Sequence, residues 1–160
     1  MSTKIASNFV LVTGASGSVG ASICERLLID GWTVGVCTRD RESKRIEKLE
    51  SLGISNIRIF EFDMTDYYAV NSVEAEIKRW CGGKLNGLVN NAGAAHGGLI
   101  QSTKIEDIKS IFDSNFFSTL YLTQKLHRYL RRANGAAIIN ISSIASIAPG
   151  RGQVGYGVSK

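Results

Sequence analysis

Phe9-Val10-Leu11-Val12-Thr13-Gly14-Ala15-Ser16-Gly17-Ser18-Val19-Gly20 is a short apolar run that breaks into a glycine-rich turn. The turn leads straight into Ala21 to Asp30, which reads as a helix. Val19, Ile23, Leu27 and Leu28 recur at helical spacing, and Gly31 supplies a stop. Strand, glycine turn and helix in that order suit a phosphate-bearing ligand. Glycines let backbone amides approach a pyrophosphate, and a helix N-terminus adds partial positive charge. A glycine-rich turn also serves simply to pack a strand on a helix, so the position after the first strand carries the nucleotide reading. No Gly-Lys-Ser/Thr follows, which excludes a P-loop.

Outward from this stretch the same unit repeats. Thr33 to Thr38 reads as a strand, and Asp40 to Leu52 as a charged amphipathic helix closed by Gly53, with Asp40 as its cap. Ile57 to Phe62 alternates as a strand does, and Asp66 to Trp80 returns to helix with Asp66 as N-cap. Leu85 to Val89 is a fourth strand, Ile105 to Arg132 the longest helix, and Ala136 to Ser142 a fifth strand. Pro149-Gly150 precedes a closing helix. Apolar runs such as Ala137-Ile138-Ile139 predict strands covered on both faces. The alternation therefore predicts an α/β fold, a doubly wound parallel sheet with right-handed crossovers. No repeat or interior linker divides residues 1–160, so one dinucleotide-binding domain is expected.

The totals narrow the function. A chain of 160 residues, 44% hydrophobic and 21% charged, can bury a core. It has no run of 18 apolar residues, so no membrane span is expected. Met1 to Asn8 lack the apolar core of a signal peptide, and the expected location is cytoplasmic. Cys24, Cys37 and Cys81 match no metal spacing and read as reduced, buried small hydrophobes; no metal is expected. The net charge of +5 gathers at Arg39 to Lys48 and at Lys125 to Arg132. Acidic residues interleave the first cluster, and the second ends a helix, where cations complement the dipole. No zinc-finger spacing or RNA-binding aromatic motif accompanies them, so nucleic acid is not the expected partner.

In a doubly wound sheet, ligands bind at the carboxyl ends of the strands, and the polar motifs fall there. An acid ending the second strand would bond a ribose 2′-hydroxyl; arginine suits a 2′-phosphate. Here Thr38 stands in the discriminating place and Arg39 follows, which favours NADP over NAD, the other reading of Arg39 being a plain surface charge. Strand four ends in Asn90-Asn91-Ala92-Gly93. The last residues are Tyr156-Gly157-Val158-Ser159-Lys160. In a helix Tyr156 and Lys160 stand one turn apart, and an ammonium near a phenol favours phenolate, which suits general acid–base work. Taken alone, such a pair is usually a helix-surface neighbour.

The set Thr13-Gly14 through Gly20, Asn90 to Gly93, Ser142-Ser143 and Tyr156-x-x-x-Lys160 resembles the classical short-chain dehydrogenase/reductase family over nearly the whole chain. The nearest likeness is to β-ketoacyl-carrier-protein and acetoacetyl-coenzyme A reductases, carried by Asn140-Ile-Ser-Ser-Ile144 and Gly152-Gln-Val-Gly-Tyr156. The resemblance implies a Rossmann-like three-layer fold and an NADP(H)-dependent oxidoreductase that reduces a ketone or 3-oxoacyl thioester. It implies Tyr156 as the acid that protonates the carbonyl oxygen, and Lys160 as the cation that lowers its pKa and holds the nicotinamide ribose. Ser143 would polarise the carbonyl beside its structural neighbour Ser142, and Asn115 would support a proton relay. Gly14, Ser16, Gly17, Ser18, Val19 and Gly20 would cradle the phosphates, with Ser16 near the adenosine phosphate. Asp63 and Met64 would hold adenine, and Asn90, Asn91, Ala92 and Gly93 would line the cofactor.

One position departs from the pattern: Ser18 stands where the family usually has glycine. Its amide and hydroxyl still suit a phosphate, provided its backbone angles are not glycine-only. His96 and His127 read as loop and helix-surface residues, and the Leu120, Leu122, Leu126 and Leu130 set as core or interface. Family members are longer, so the resemblance also implies that the last strands and a substrate lid lie outside this sequence, and that the parent enzyme is a homodimer or homotetramer. The other reading is a nucleotide-binding or regulatory protein without turnover.

Overall fold

The computed structural model describes residues 8–52 and 55–160. Residues 1–7 and Gly53, the expected stop of the second helix, lie outside them. Five parallel strands, β1 (Phe9–Thr13), β2 (Thr33–Thr38), β3 (Ile57–Glu61), β4 (Gly87–Asn90) and β5 (Ala137–Asn140), form one sheet in the order β3-β2-β1-β4-β5. Val12 pairs with Val36 on one side and Val89 on the other. The order reverses between β1 and β4, which makes their carboxyl ends the topological switch point.

Alternation along β1 sends its side chains to two cores. Leu11 joins Phe60, Ile77, Leu88, Leu122, Leu126 and Tyr129 on the face covered by α3 (Tyr67–Trp80) and α5 (Ser118–Arg132). Val10 and Val12 join Cys24, Val34, Val36, Ile46 and Leu49 under α1 (Ser18–Ile29) and α2 (Lys44–Leu52). Three layers result, as predicted. Each fully buried Leu or Val contributes about 1.5–3 kcal/mol relative to exposure. Gly35 on β2 admits Trp80: a Cβ there would stand 2.8 Å from the indole Cη2.

Several boundaries move for local reasons. α1 begins at Ser18 rather than Ala21, so the end of the glycine turn is itself the first helical turn. α2 begins at Lys44, and Asp40 does not cap it; the Asp40 N–H instead bonds Thr38 Oγ1 at 3.0 Å. Asp66 does cap α3, accepting from the amides of Tyr68 and Ala69. The long helix is not uniform. α4 (Ile105–Phe112) passes through a π-helical turn, Asp113–Phe117, into α5.

The reading of Ala137-Ile138-Ile139 as covered on both faces is corrected. β5 is an edge strand, and Ile138 and Ile139 are 44% and 52% exposed because no element among the described residues packs over them. Leu122, Leu126 and Leu130 are core, whereas Leu120 is exposed. A 3₁₀ turn (Ile144–Ser146) and α6 (Val154–Ser159) close the chain.

Candidate active site

At the switch point the glycine turn meets the loop after β4. Thr13 Oγ1 accepts the amides of Asn91 (3.0 Å) and Ala92 (2.9 Å). Asn91 Nδ2 donates to the carbonyls of Thr13 (2.9 Å) and Gly14 (3.2 Å). Gly14 has φ +67°, and a Cβ there would stand 2.8 Å from the Ala92 backbone, so both conformation and space require glycine. A Cβ at Gly20 would lie 2.5 Å from the Gly14 carbonyl oxygen. Ser18 does not have a positive φ, so serine sits unstrained in this turn. The first turn of α1 carries no acidic residue, which leaves its N-terminal field unopposed by a carboxylate.

A cleft of about 380 Å³ runs beside this turn. Gly14, Ser16, Gly17, Ser18, Val19 and Gly20 form one wall, Thr38, Arg39, Asp63 and Met64 one end, and Asn91, Ala92 and Gly93 the far side. Val19 is 54% exposed because it faces this cleft and not the core. Thirteen of the expected cofactor residues thus share one cavity.

Thr38 is buried, and its hydroxyl is occupied by the Asp40 backbone, which closes the turn bearing Arg39. Arg39 Nη1 lies 3.5 Å from Asp63 Oδ2. Partial burial pushes the Asp63 carboxyl upward, but hydrogen bonds from the Thr65 amide and hydroxyl, with the charge of Arg39, outweigh it and hold it below the usual range. Cys37 also lines the cleft; its thiol is buried and held in the neutral form by desolvation.

Asn90 departs from the expectation. Its Nδ2 bonds Asn140 Oδ1 (2.8 Å) and Thr123 Oγ1 (3.2 Å), so it ties β4 to β5 and α5 and faces away from the cleft. Its Oδ1 is buried without a partner among the described residues. On that other side of the sheet end, Asn90 and Lys160 line a second hollow.

Gly93 connects the cleft to α6. A Cβ there would stand 2.9 Å from Asn115 Oδ1 and 3.0 Å from Lys160 Nζ. Asn115 sits in the π turn, where the widened backbone aims its side chain at the loop after β4. Its Oδ1 accepts the Ala94 amide (2.7 Å), and its Nδ2 donates to the Ala94 carbonyl (2.9 Å) and to Ser159 Oγ (2.8 Å). Ser159 in turn donates to the Tyr156 carbonyl (2.8 Å). Lys160 Nζ donates to the Ile141 carbonyl (3.1 Å), beyond the end of β5.

The two serines separate. Ser142 Oγ donates to the Lys160 carbonyl at 2.8 Å and so fastens the end of α6. Ser143 Oγ accepts the Ala145 amide, and its own proton has no acceptor among the described residues. The Tyr156 hydroxyl is likewise without a hydrogen-bond partner among them, on a half-buried residue. No cluster of three metal-ligating side chains occurs among the described residues.

Sequence reasoning missed Thr13, Thr65 and Ser159 as supports. Asp63-x-Thr65 carries the signature of an Asx turn and was legible; Ser159 gave no local signal.

The sequence model described as short chain dehydrogenase matches residues 8–160. The NADPH-dependent 3-dehydrocapnine reductase of Ornithobacterium rhinotracheale is 37% identical over 144 residues, covering 87% of this chain and 50% of that protein. The 3-oxoacyl-[acyl-carrier-protein] reductase of Staphylococcus aureus is 30% identical, covering 94% and 61%. The crystal structure of NADPH-bound carbonyl reductase from chicken fatty liver superposes with a TM-score of 0.87 at 28% identity, covering 96% of this chain and 69% of that one. The chain thus spans about half to two thirds of the length of the proteins it matches.

Proposed function

The chain belongs to the short-chain dehydrogenase family, and from that premise we propose that it serves an NADP(H)-dependent reduction of a ketone to a secondary alcohol. The observation that carries this reading is the junction at Gly93, where the cleft wall meets the Lys160 ammonium and the Asn115 side chain. The glycine turn, the N-terminus of α1 and Arg39 fit a phosphorylated dinucleotide in a cleft of suitable size.

When bound, the nicotinamide supplies the hydride, and the residues of this chain supply position and protons. Tyr156 donates the proton to the substrate oxygen. Ser143 steadies that oxygen with the hydroxyl proton left free by the Ala145 contact. Lys160, held by Ile141, keeps a positive charge at the end of α6 near Gly93. Asn115 and Ser142 hold α6 in place. A 3-oxoacyl thioester is the favoured substrate class, in keeping with the similarity to the Staphylococcus aureus reductase. Exposed Phe116, Phe117 and Leu120 on the long helix support self-association through that helix.

The test is NADPH fluorescence titration followed by NADPH consumption with acetoacetyl-coenzyme A. Tyr156→Phe should bind NADPH as the parent does and lose nearly all turnover. Turnover at the parent rate in Tyr156→Phe would overturn the mechanism.

A further inference from the structure

Arg39 lines the cleft and Arg45 bonds a residue of its wall, and the two cations are not equivalent. Arg39 is shared with Asp63 at 3.5 Å, so part of its field is spent on a carboxylate. Arg45, in the first turns of α2, extends back to the glycine turn, where Nη1 donates to the Ser16 carbonyl at 3.4 Å. No carboxylate among the described residues forms an ion pair with Arg45. Ser16 and Arg39 line the same cavity, so the guanidinium of Arg45 reaches the cavity wall through its bond to the Ser16 carbonyl.

We propose that Arg45 is a specificity-determining residue, the uncompensated cation that receives the 2′-phosphate of NADP(H) and distinguishes it from NAD(H). This rests on the NADP(H) reading above. A dianionic phosphate between two guanidiniums gains charge-assisted bonds from both. The one with no carboxylate partner gives more of its charge to the ligand. The Ser16 carbonyl pre-positions that group beside the glycine turn, and a long bond of 3.4 Å to a neutral acceptor is weak enough to be exchanged for phosphate. NADH carries only a neutral 2′-hydroxyl at that place, so Arg45 has no phosphate to pair with there.

The experiment is calorimetric titration of the chain with NADPH, NADH and 2′,5′-ADP, before and after Arg45→Gln. Glutamine keeps a donor for the Ser16 carbonyl and removes the charge, and the position is exposed, so folding is preserved. The expected result is a loss of about tenfold in affinity for NADPH and for 2′,5′-ADP, with NADH unchanged and the NADPH loss shrinking in high salt. Unchanged NADPH affinity, or an equal loss for NADPH and NADH, overturns the assignment; the second outcome means that Arg45 only supports the glycine turn. If the parent chain itself binds NADPH no more tightly than NADH, the cofactor reading fails first, and that result precedes any variant.

Discussion

Asn115 Nδ2 donates to Ser159 Oγ at 2.8 Å, joining the π turn of the long helix to α6 across 44 positions of sequence. The bond closes a circuit from the loop after β4, through Ala94 and Asn115, to the carbonyl of Tyr156. The proposed proton donor is thus held by a helix remote in sequence.

Asn115→Ala is expected to cost about 1–3 kcal/mol, because the Ala94 amide and carbonyl lose their side-chain partner. The stronger check is a double-mutant cycle with Ser159→Ala in urea unfolding. A coupling above about 0.5 kcal/mol is expected for two groups in direct contact. Additive losses would mean that the bond does not hold α6.

Gly20→Ala and Gly17→Ala should differ sharply. The new methyl at position 20 would lie 2.5 Å from the Gly14 carbonyl oxygen and 2.9 Å from the Ala15 Cα, forcing the turn open. A loss of about 1–3 kcal/mol is expected from overpacking, together with much weaker NADPH binding. Gly17 has an ordinary φ of −75°, and its nearest neighbour would be 3.3 Å away. Its substitution should shift the melting temperature less, and thermal melts with NADPH titration compare the two.

The acid limb of stability should depend on Asp63. Its folded-state carboxyl is held below the usual value: burial raises it, but Thr65 and Arg39 lower it by more. A group whose folded pKa is depressed contributes stability that is present above its unfolded value of 3.8 and disappears as pH falls through the folded one. Asp63→Asn should therefore flatten the urea midpoint against pH below the ordinary carboxylate range and leave its slope near neutrality unaltered. An acid limb identical to the parent's would remove Asp63 from it.

Ser143→Ala and Ser142→Ala separate polarisation from fastening. Loss of the Ser143 hydroxyl should lower kcat by about 10²–10³-fold, as for one donor to a developing oxyanion, besides about 0.5–1.5 kcal/mol of stability lost with its bond to the Ala145 amide. Loss of Ser142 removes the bond to the Lys160 carbonyl and should act mainly on stability, by about 0.5–1.5 kcal/mol. Steady-state kinetics beside thermal melts distinguish them.

Much of this arrangement was legible in residue order. Apolar runs alternating with helical spacing predicted five parallel strands and their layers, because burial demands a period of two in strands and 3.6 in helices. The glycine turn and Arg39 were legible as one site because carboxyl ends of parallel strands converge at the switch point, whereas Asp63 was legible only through the family resemblance. Asp66 was legible as a cap because capping is local in sequence.

Other features depend on contacts that no local pattern encodes. The π turn that aims Asn115 is invisible in a run with continuous helical periodicity. Ile138 and Ile139 read as buried because hydrophobicity reports a tendency, whereas exposure depends on which element lies alongside, and β5 is at the edge. Asn90 faces Asn140 rather than the cleft because strand register fixes the face of each side chain. The sequence by itself determined the α/β layering and the chemical kinds of group at the strand ends, since both follow from periodicity and side-chain chemistry. Only the tertiary structure decided which of Ser142 and Ser143 has a free proton, which of Arg39 and Arg45 lacks a carboxylate, and that Asn115 reaches Ser159. Those are distances between residues far apart in the chain, and they exist only once the sheet has brought its ends together.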